Sequence, residues 1–390
     1  MAEILDKPEL RIYEIRKRQH RKMVVTIALL SLIIAAILLG GIYYTISNKK
    51  YTSYKVIHSM DKNDTSSAKY YTYQNGYIRM SRDGIMAVDK EGHQIWNDTY
   101  QMKDPQLAIK GDYACVSDRG SKLLQIYGPK GEEASIQTDN PIIKSVIASQ
   151  GVTAVLVSGD GKDYITYYSK EGTRLLERGT YEKNDGFPVD ICISGDGDKL
   201  VTSYVNFSKG ETSSKVTFLN FSSTGKNYID NIVGATDFGK TLVADIEFIN
   251  NNTLCAFGDD KFSVYSMERT PDLLFTKELK NQVKTVFYNE NYIGFVLKDL
   301  ESAGGNQIVV YDLKGKIVFD KTSDFDYSSI SLINKEITLT SARDWLIYKL
   351  NGRVKLNCHF DQEIAEVLPM ADRNKYIIIN DKTIDEVKLK

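Results

Sequence analysis

The chain has 390 residues, and its 50 Lys and Arg residues nearly balance 51 Asp and Glu residues, for a net charge of −1. This balance lacks the basic excess that nucleic-acid binding uses, so we expect no nucleic-acid partner. Four cysteines and four histidines without paired short spacing do not match a zinc site either.

Residues 1–22 form a short basic tail, with seven Lys or Arg against four Asp or Glu. Residues 23–46 follow without a charge, and as a helix they would extend about 36 Å, enough to cross a hydrocarbon core of about 30 Å. Because the positive charge precedes this segment, we predict a cytoplasmic tail, a single transmembrane helix embedded in the lipid bilayer and an extracytoplasmic C-terminal region. The protein would then belong to the cell membrane.

A cleaved signal peptide is the alternative for the apolar segment. The segment is longer than a usual signal-peptide core, and no small-x-small cleavage pattern follows it. The sequence therefore favours an uncleaved anchor, joined by a short linker at 47–52 to a domain at 53–390.

From residue 53 onward, an apolar strand, a turn and another apolar strand recur seven times. Six copies keep a glycine in the turn, and successive glycines lie 39, 41, 53, 90 and 37 residues apart. The interval of 90 spans two units, because the middle copy has Thr270-Pro271 in place of glycine. Such a period is typical of the four-stranded blades of a β-propeller. The turn glycines are Gly92, Gly131, Gly172, Gly225, Gly315 and Gly352.

One unit shows the four strands most clearly. Val, Ile, Tyr and Thr are frequent in 142–149, 151–159, 162–170 and 173–178, and turn residues separate these runs. We name them strands a to d, from the centre of the ring to its rim. No other part of the chain beyond the N-terminal segment has sustained helical periodicity, so the fold class is all-β, a single propeller of four-stranded antiparallel sheets.

The number of blades depends on the two ends of the domain. Residues 363–370, 375–381 and 383–390 supply strands a, b and c of a last blade without a strand d. The alternating segment Tyr54–Met60 can provide that strand, which predicts eight blades closed by both ends of the chain. Seven blades is the alternative, and an elongated β-solenoid or a pair of sandwiches is a third possibility.

The repeat unit resembles that of a known family. Segments such as Val88–Trp96 and Val310–Phe319 resemble PQQ-like propeller repeats and, more loosely, WD repeats. With its tail, span and propeller, the chain resembles membrane-anchored propeller proteins of uncharacterised function from Gram-positive bacteria. Quinoprotein dehydrogenases of this fold use adjacent cysteines, which this sequence lacks, so the resemblance implies a ring without quinone chemistry and without a cofactor.

No catalytic or metal-binding residue emerges from the motifs. The Ser-Gly-Asp-Gly segments at 158–161 and 194–197 lie between strands, unlike a nucleophile elbow, and their aspartates lack the ligand series of a calcium loop. The four cysteines occupy predicted strands, where they are expected to be buried, although a Cys192–Cys255 disulfide stays open. They are Cys115, Cys192, Cys255 and Cys358.

We therefore predict a non-catalytic binding or scaffold module at the cell envelope, with a protein or a cell-wall polymer as partner. A glycan-active envelope enzyme and a transmembrane sensor with a cytoplasmic partner are the alternatives. An enzyme would need at least two carboxylates converging in one pocket.

The expected binding surface follows from connectivity. The turns between strands b and c, and the connections from each blade to the next, lie at the same face of the ring, which we call the b–c face. We call the opposite face the c–d face. The sequence places its longest predicted connections at the b–c face, namely 179–188, 205–214, 231–240 and 300–306. Long loops on a rigid ring commonly carry binding residues. The residues predicted to border the partner site are Tyr181, Phe187, Tyr204, Phe207, Lys209 and Phe238.

Overall fold

The computed structural model describes residues 8–62, 68–208, 210–298 and 305–390, which fall into an N-terminal unit ending at Tyr51 and a second unit from Thr52 to Lys390. The N-terminal unit contains one helix, α1 (Pro8–Asn48). Within it, Ile15–Gly41 is long and apolar enough to cross a membrane, a property that signal sequences share. The helix includes most of the predicted tail as well as the predicted span.

The second unit is an eight-bladed β-propeller of four-stranded antiparallel sheets, so the predicted fold class and the favoured blade number are confirmed. Blade 1 consists of β2 (Lys69–Tyr73), β3 (Gly76–Met80), β4 (Gly84–Val88) and β5 (Gln94–Thr99). Blade 2 consists of β6 (Pro105–Lys110), β7 (Tyr113–Asp118), β8 (Leu123–Gly128) and β9 (Gly131–Gln137). Blade 3 consists of β10 (Ile142–Ile147), β11 (Thr153–Val157), β12 (Lys162–Tyr168) and β13 (Arg174–Tyr181). Blade 4 consists of β14 (Phe187–Ile193), β15 (Lys199–Ser208), β16 (Glu211–Asn220) and β17 (Ile232–Gly239).

The remaining blades follow the same order from strand a to strand d. Blade 5 consists of β18 (Val243–Asn250), β19 (Thr253–Gly258), β20 (Lys261–Ser266) and β21 (Asp272–Glu278). Blade 6 consists of β22 (Val283–Asn289), β23 (Tyr292–Lys298), β24 (Asn306–Asp312) and β25 (Ile317–Ser323). Blade 7 consists of β26 (Ser329–Ile333), β27 (Glu336–Thr340), β28 (Asp344–Lys349) and β29 (Val354–His359). Blade 8 consists of β30 (Ile364–Pro369), β31 (Lys375–Asn380), β32 (Thr383–Leu389) and β1 (Tyr54–Asp61).

The two ends of the propeller domain close the ring together. Strand β1 pairs antiparallel with β32, from Tyr54 opposite Leu389 to Asp61 opposite Thr383. The backbone groups of β32 that would otherwise form an open edge are thereby paired. The prediction that Tyr54–Met60 completes the last blade is confirmed.

Blade 4 departs from the sequence prediction in two connections. The predicted loop 205–214 is mostly a hairpin, because β15 continues to Ser208 and β16 begins at Glu211. The predicted interblade connection 231–240 is wrong: this segment is strand d, β17. Two short 3₁₀ turns, Gly225–Asn227 and Ile229–Asn231, lengthen the c–d connection and delay that strand.

Two other predicted connections have different outcomes. Segment 179–188 is short in the structure, because β13 runs to Tyr181 and a single helical turn, α2 (Glu182–Asp185), leads to β14. Most of 300–306 lies outside the described residues.

The core lies between neighbouring sheets, where the blades pack face to face. Trp96 of blade 1 stacks on Tyr127 of blade 2, with ring centroids 5.1 Å apart and an interplanar angle of 1°. The repeated turn glycine belongs to this packing: Gly131 has a φ of +114°, and a Cβ added there would lie 3.4 Å from the Trp96 Cβ. The turn conformation therefore favours glycine, and the glycine lies within contact distance of strand d of the preceding blade.

Candidate functional site

The exposed members of the predicted partner site lie at the b–c face of blades 3 and 4. Phe187 begins β14, and Phe207 lies near the end of β15, so both rings reach the same edge. Their centroids are 6.0 Å apart, and the side chains are 43% and 70% exposed. Tyr181, the last residue of β13, is also half exposed. The structure thus brings Phe187 and Phe207 together as a solvent-exposed aromatic pair.

Two other predicted site residues are buried, which corrects their assignment to the surface. Tyr204 is 1% exposed, because β15 continues as a strand there and its ring packs under the Lys215 ammonium, 5.7 Å from the ring centroid. Burial raises the pKa of Tyr204 to about 12. Phe238 is 7% exposed and packs in the core of blades 4 and 5, because its segment is strand d. Lys209 lies outside the described residues.

A groove of about 490 Å³ lies beside Tyr181, along strand d of blade 3 and the c–d connection of blade 4. The Lys162 ammonium lies 4.6 Å from the Tyr181 ring centroid, and the Tyr181 amide donates to the Asp185 carboxylate at 3.1 Å. These contacts fix Tyr181 and the start of α2 at the b–c face of blade 3.

A larger cavity, of about 660 Å³, lies along the inner strands of the propeller. Strands β6, β10 and β14 supply most of its wall, and Glu247 of β18 and Tyr288 of β22 complete it. Much of the wall is aliphatic, including Leu107, Ile143 and Val189. The wall therefore combines aliphatic side chains with several charged ones, namely Lys110, Arg119, Lys144 and Glu247.

One ion pair fixes charge at the wall of this cavity. Lys144 of β10 pairs with Asp190 of β14, whose side chain is 5% exposed and which also accepts from the Ile246 amide at 2.9 Å. Burial raises the pKa of Asp190, while Lys144 and the Ile246 amide oppose this rise. Despite its own burial, Lys144 has a raised pKa because Asp190 stabilises its charge. Blades 3, 4 and 5 are thus linked by a buried charged group.

Glu247 is the second charged feature of the cavity. Burial raises its pKa to about 7; Lys144 and Lys110 oppose this rise, and Asp245 and Asp190 add to it. Burial, followed by the charge of Glu247, raises the pKa of Tyr288 as well. The carboxyl group is therefore poised between its neutral and ionised forms near neutral pH.

Sequence reasoning missed this charged cavity. Its signal is one charge within each of the inner strands Ile142–Ile147 and Phe187–Ile193, and two within Val243–Asn250, all three strands being otherwise largely apolar. An interior charge in such a strand is uncommon unless it has a partner. The signal identifies unusual residues, but only the three-dimensional arrangement shows that they meet.

One further group of potential ligand atoms occurs in the described chain. Asp89, Glu91 and His93 bring one ligand atom each within 4.8 Å of one another in the c–d turn of blade 1. The turn itself accounts for the arrangement, because the His93 amide donates to Asp89 at 2.8 Å and the His93 ring contacts the same carboxylate at 3.2 Å. The cysteines, in contrast, are all buried and free, including Cys192 and Cys255.

Comparison with known proteins gives a family and a fold. A model described as "Family of unknown function (DUF5711)" matches residues 47–389, so the chain belongs to this family. No curated protein matches the sequence.

Three solved structures show how far the likeness in fold extends. BamB from Moraxella catarrhalis is 12% identical with a TM-score of 0.53, over 87% of this chain and 98% of that one. Sqt1 from Chaetomium thermophilum, bound to the N-terminus of ribosomal protein L10, is 9% identical with a TM-score of 0.52, over 83% and 92%. A eukaryotic initiation factor is 10% identical with a TM-score of 0.51, over 84% and 83%. At these identities the likeness shows the propeller fold alone, in agreement with the resemblance to propeller repeats.

Proposed function

We propose that this protein is a non-catalytic, membrane-anchored binding module whose extracytoplasmic propeller captures a protein partner at the b–c face of blade 4. The observation that carries the proposal is the exposed Phe187–Phe207 pair. Large aromatic side chains are normally buried, and exposed pairs on a rigid support are characteristic of interface anchors.

The local structure supports this use of the two rings. Phe187 lies opposite Val205 in the pairing of β14 with β15, and Phe207 lies opposite Thr212 in the pairing of β15 with β16, so the backbones of both residues are held by the same sheet. The connection before Phe187 is tied to the hairpin, since the Asn206 amide donates to the Asp185 carbonyl at 3.5 Å. Preorganised rings lose little conformational freedom on binding, which favours affinity.

The anchor and its orientation rest on the N-terminal helix. Segment Ile15–Gly41 has a mean hydropathy of 2.8, and basic residues precede its apolar part. The positive-inside tendency then leaves the N-terminus in the cytoplasm and the propeller outside. A protein is favoured over a cell-wall polymer because Sqt1, which shares the fold, is a propeller bound to a protein segment.

A glycan-active enzyme remains the second candidate, and Glu247 is the observation that favours it. A carboxyl group with a pKa near 7 fits a general acid, and other carboxylates lie close enough to raise that pKa. Loss of glycan hydrolysis in Glu247→Gln, with wild-type activity demonstrated on the same substrate, would support the enzyme over the binding module.

Crosslinking in intact membranes tests the binding proposal. The full chain would carry a photo-crosslinking amino acid at position 181, with Phe187→Ala and Phe207→Ala introduced together. Ile229→Ala provides the matched control, because Ile229 is 87% exposed but lies in the c–d connection of the same blade.

We expect a specific protein adduct that the double variant loses and the control keeps. An adduct of equal yield in the double variant, or one lost only in Ile229→Ala, would contradict the assignment of the b–c face. Absence of any protein adduct at position 181 in the wild-type chain would contradict the proposal as a whole.

A further inference from the structure

Most of the large apolar side chains that the propeller exposes lie at one edge of its rim. Strand d of each blade begins at the c–d face, and in blades 1, 3, 4, 5, 6 and 8 its first residues, or the connection just before it, carry exposed apolar or aromatic side chains. Leu175 and Leu273, for example, are 56% and 57% exposed. We call this set the apolar belt. Its members are Val56, Ile57, Ile95, Leu175, Leu176, Tyr228, Ile229, Leu273, Leu274 and Ile317.

Packing between blades does not account for the belt. Successive residues of a strand point to opposite faces of the sheet, so the exposed neighbours Leu273 and Leu274 present apolar groups on both sides of blade 5. The same strand, β21, ends at the b–c face with the exposed Glu278. Strand β25 of blade 6 likewise begins with the exposed Ile317 and has the exposed Thr322 near its end. Single exposed apolar residues are ordinary, but their concentration at one edge marks a contact surface.

Blade 4 contributes the most exposed member of the belt. Ile229 is 87% exposed and follows Tyr228, which is half exposed, in the c–d connection. The next two residues, Asp230 and Asn231, have φ angles of +53° and +58°, which residues other than glycine seldom adopt. The Asn231 amide also donates to the Tyr228 carbonyl at 3.2 Å. This turn holds Ile229 in solvent beside a tyrosine, a residue type that is enriched at membrane–water boundaries.

The length of the linker identifies a lipid surface as the occupant of the belt. Only residues 49–53 lie between the end of α1 and the start of β1, and β1 also begins at the c–d face. A segment of this length extends at most about 20 Å. With α1 embedded as proposed above, on which this step rests, the c–d edge stays next to the bilayer. The exposed Lys49 and Lys50 of the linker add positive charge that suits anionic headgroups.

We infer that the apolar belt rests on the membrane that anchors the chain, with its side chains among the lipid headgroups and the upper acyl chains. Apolar groups of interfacial helices enter this boundary by about 5–10 Å. The bilayer is favoured over a second copy of the chain, because the linker keeps the belt of every copy at the lipid surface. The contact turns the b–c face, with Phe187 and Phe207, away from the membrane and toward a partner.

Lipid quenching of a fluorescent dye tests the contact. The full chain is reconstituted in vesicles of phosphatidylcholine and phosphatidylglycerol, with a polarity-sensitive dye on Ile229→Cys or Leu274→Cys. The native cysteines are buried, so the dye reacts with the introduced residue. Glu278→Cys, at the exposed opposite end of β21, is the matched control. A phosphatidylcholine that carries a nitroxide high on its acyl chain serves as the quencher, and flotation of the vesicles measures anchoring separately.

A second pair of variants tests whether the belt causes the contact. Leu175→Glu with Leu273→Glu places two charges in the belt without touching the core, because both side chains are exposed. Thr99→Glu with Thr322→Glu places two charges at the b–c ends of β5 and β25 as the matched control. Both double variants carry the dye at position 229.

We expect quenching at positions 229 and 274 to be at least about twofold stronger than at position 278. The belt variant should lose at least about half of the quenching at position 229, and the control variant should keep it. A chain that does not float with the vesicles would contradict the anchor and this inference together. A chain that floats but is quenched equally at positions 274 and 278, or equally in the two double variants, would overturn the inference alone. A dye at position 274 that shifts to the blue without lipid quenching would also overturn it, since a second copy or another protein would then cover the belt.

Discussion

Pro271 in the c–d turn of blade 5 lies against Gly234 on strand d of blade 4, and a Cβ added to Gly234 would come within 2.5 Å of the Pro271 Cγ. The neighbouring blades show the opposite arrangement. In blade 6 the turn carries Gly315, and the preceding strand d presents Phe275, whose ring carbon would lie 3.1 Å from an added Cβ. The large and the small residue have exchanged places at one interblade contact, which explains why one of the seven repeats lacks its glycine.

The Gly234–Pro271 contact predicts a coupled pair of substitutions. Gly234→Ala should lower the free energy of unfolding by about 1–3 kcal/mol, because the added methyl group overpacks against the proline ring. Pro271→Ala removes the ring carbons that the methyl group meets, so the double variant should be less destabilised than the sum of the single variants. Urea unfolding of the full chain in detergent would measure this coupling, and additive effects would show that the contact does not determine the residue choice.

The closing strand predicts unequal effects along β1. The Met60 sulfur lies only 1.7 Å from where a Cβ on Gly92 would be, so β1 packs directly on the c–d turn of blade 1. Val56 is 43% exposed. Met60→Asp should therefore lower the free energy of unfolding by about 2–4 kcal/mol, and Val56→Asp by less than about 1 kcal/mol.

Deletion of residues 53–60 should lower the melting temperature far more than deletion of residues 8–22, since only the first deletion exposes the edge of β32. Equal melting of the two deletions would show that the ring is stable without β1.

The sequence predicted the ring because its signals are local. A turn glycine with positive φ and an alternating strand are properties of a few adjacent residues, and Tyr54–Met60 showed this alternation although its partner lies at the other end of the chain. Blade 4 was misread after Gly225, because two 3₁₀ turns separate this glycine from strand d. Because strand d begins later than the sequence suggested, Phe238 was assigned to an exposed connection instead of a strand.

The candidate sites depended on information that a sequence pattern does not contain. Connectivity assigned Phe187 and Phe207 to one face of the ring. It could not predict the burial of Tyr204, because this burial depends on how far β15 continues as a strand. The meeting of Lys144, Asp190 and Glu247 joins three strands that are far apart in the chain. Only blade packing determines such a meeting.

The four cysteines predict protected thiols. All four are free and buried, and burial raises the pKa of Cys115 to about 12. A thiolate is the reactive form, so a thiol reagent should label the folded chain very slowly and label all four residues after denaturation. Rapid labelling of the folded chain, or fewer than four thiols in the denatured chain, would contradict this prediction.

The proposed orientation predicts which part of the chain is accessible from outside. Protease added to intact cells or protoplasts should digest the propeller and spare a tag placed before residue 8. Permeabilised cells should lose the tag as well, which provides the control. Protection of the propeller in intact cells together with loss of the tag would reverse the orientation.

The final prediction concerns the pH dependence of stability and follows from Glu247. Burial raises the pKa of this group from 4.5 to about 7, so between these values the folded chain keeps a proton that the unfolded chain has released. The free energy of unfolding therefore falls as the pH rises through this window, and the contribution of the protonated group is lost above about pH 7. One pKa unit is worth about 1.4 kcal/mol, which places the whole effect at no more than about 3.5 kcal/mol.

Glu247→Gln cannot ionise and should not show this contribution. Wild-type and variant chains should have similar free energies of unfolding near pH 5, and the variant should be more stable near pH 8. Urea unfolding at both pH values measures the difference, with Glu171→Gln as the control, because the pKa of Glu171 is lowered and lies outside the window. A parallel pH dependence of Glu247→Gln and the wild-type chain would show that the carboxyl group is solvated rather than enclosed by the inner strands.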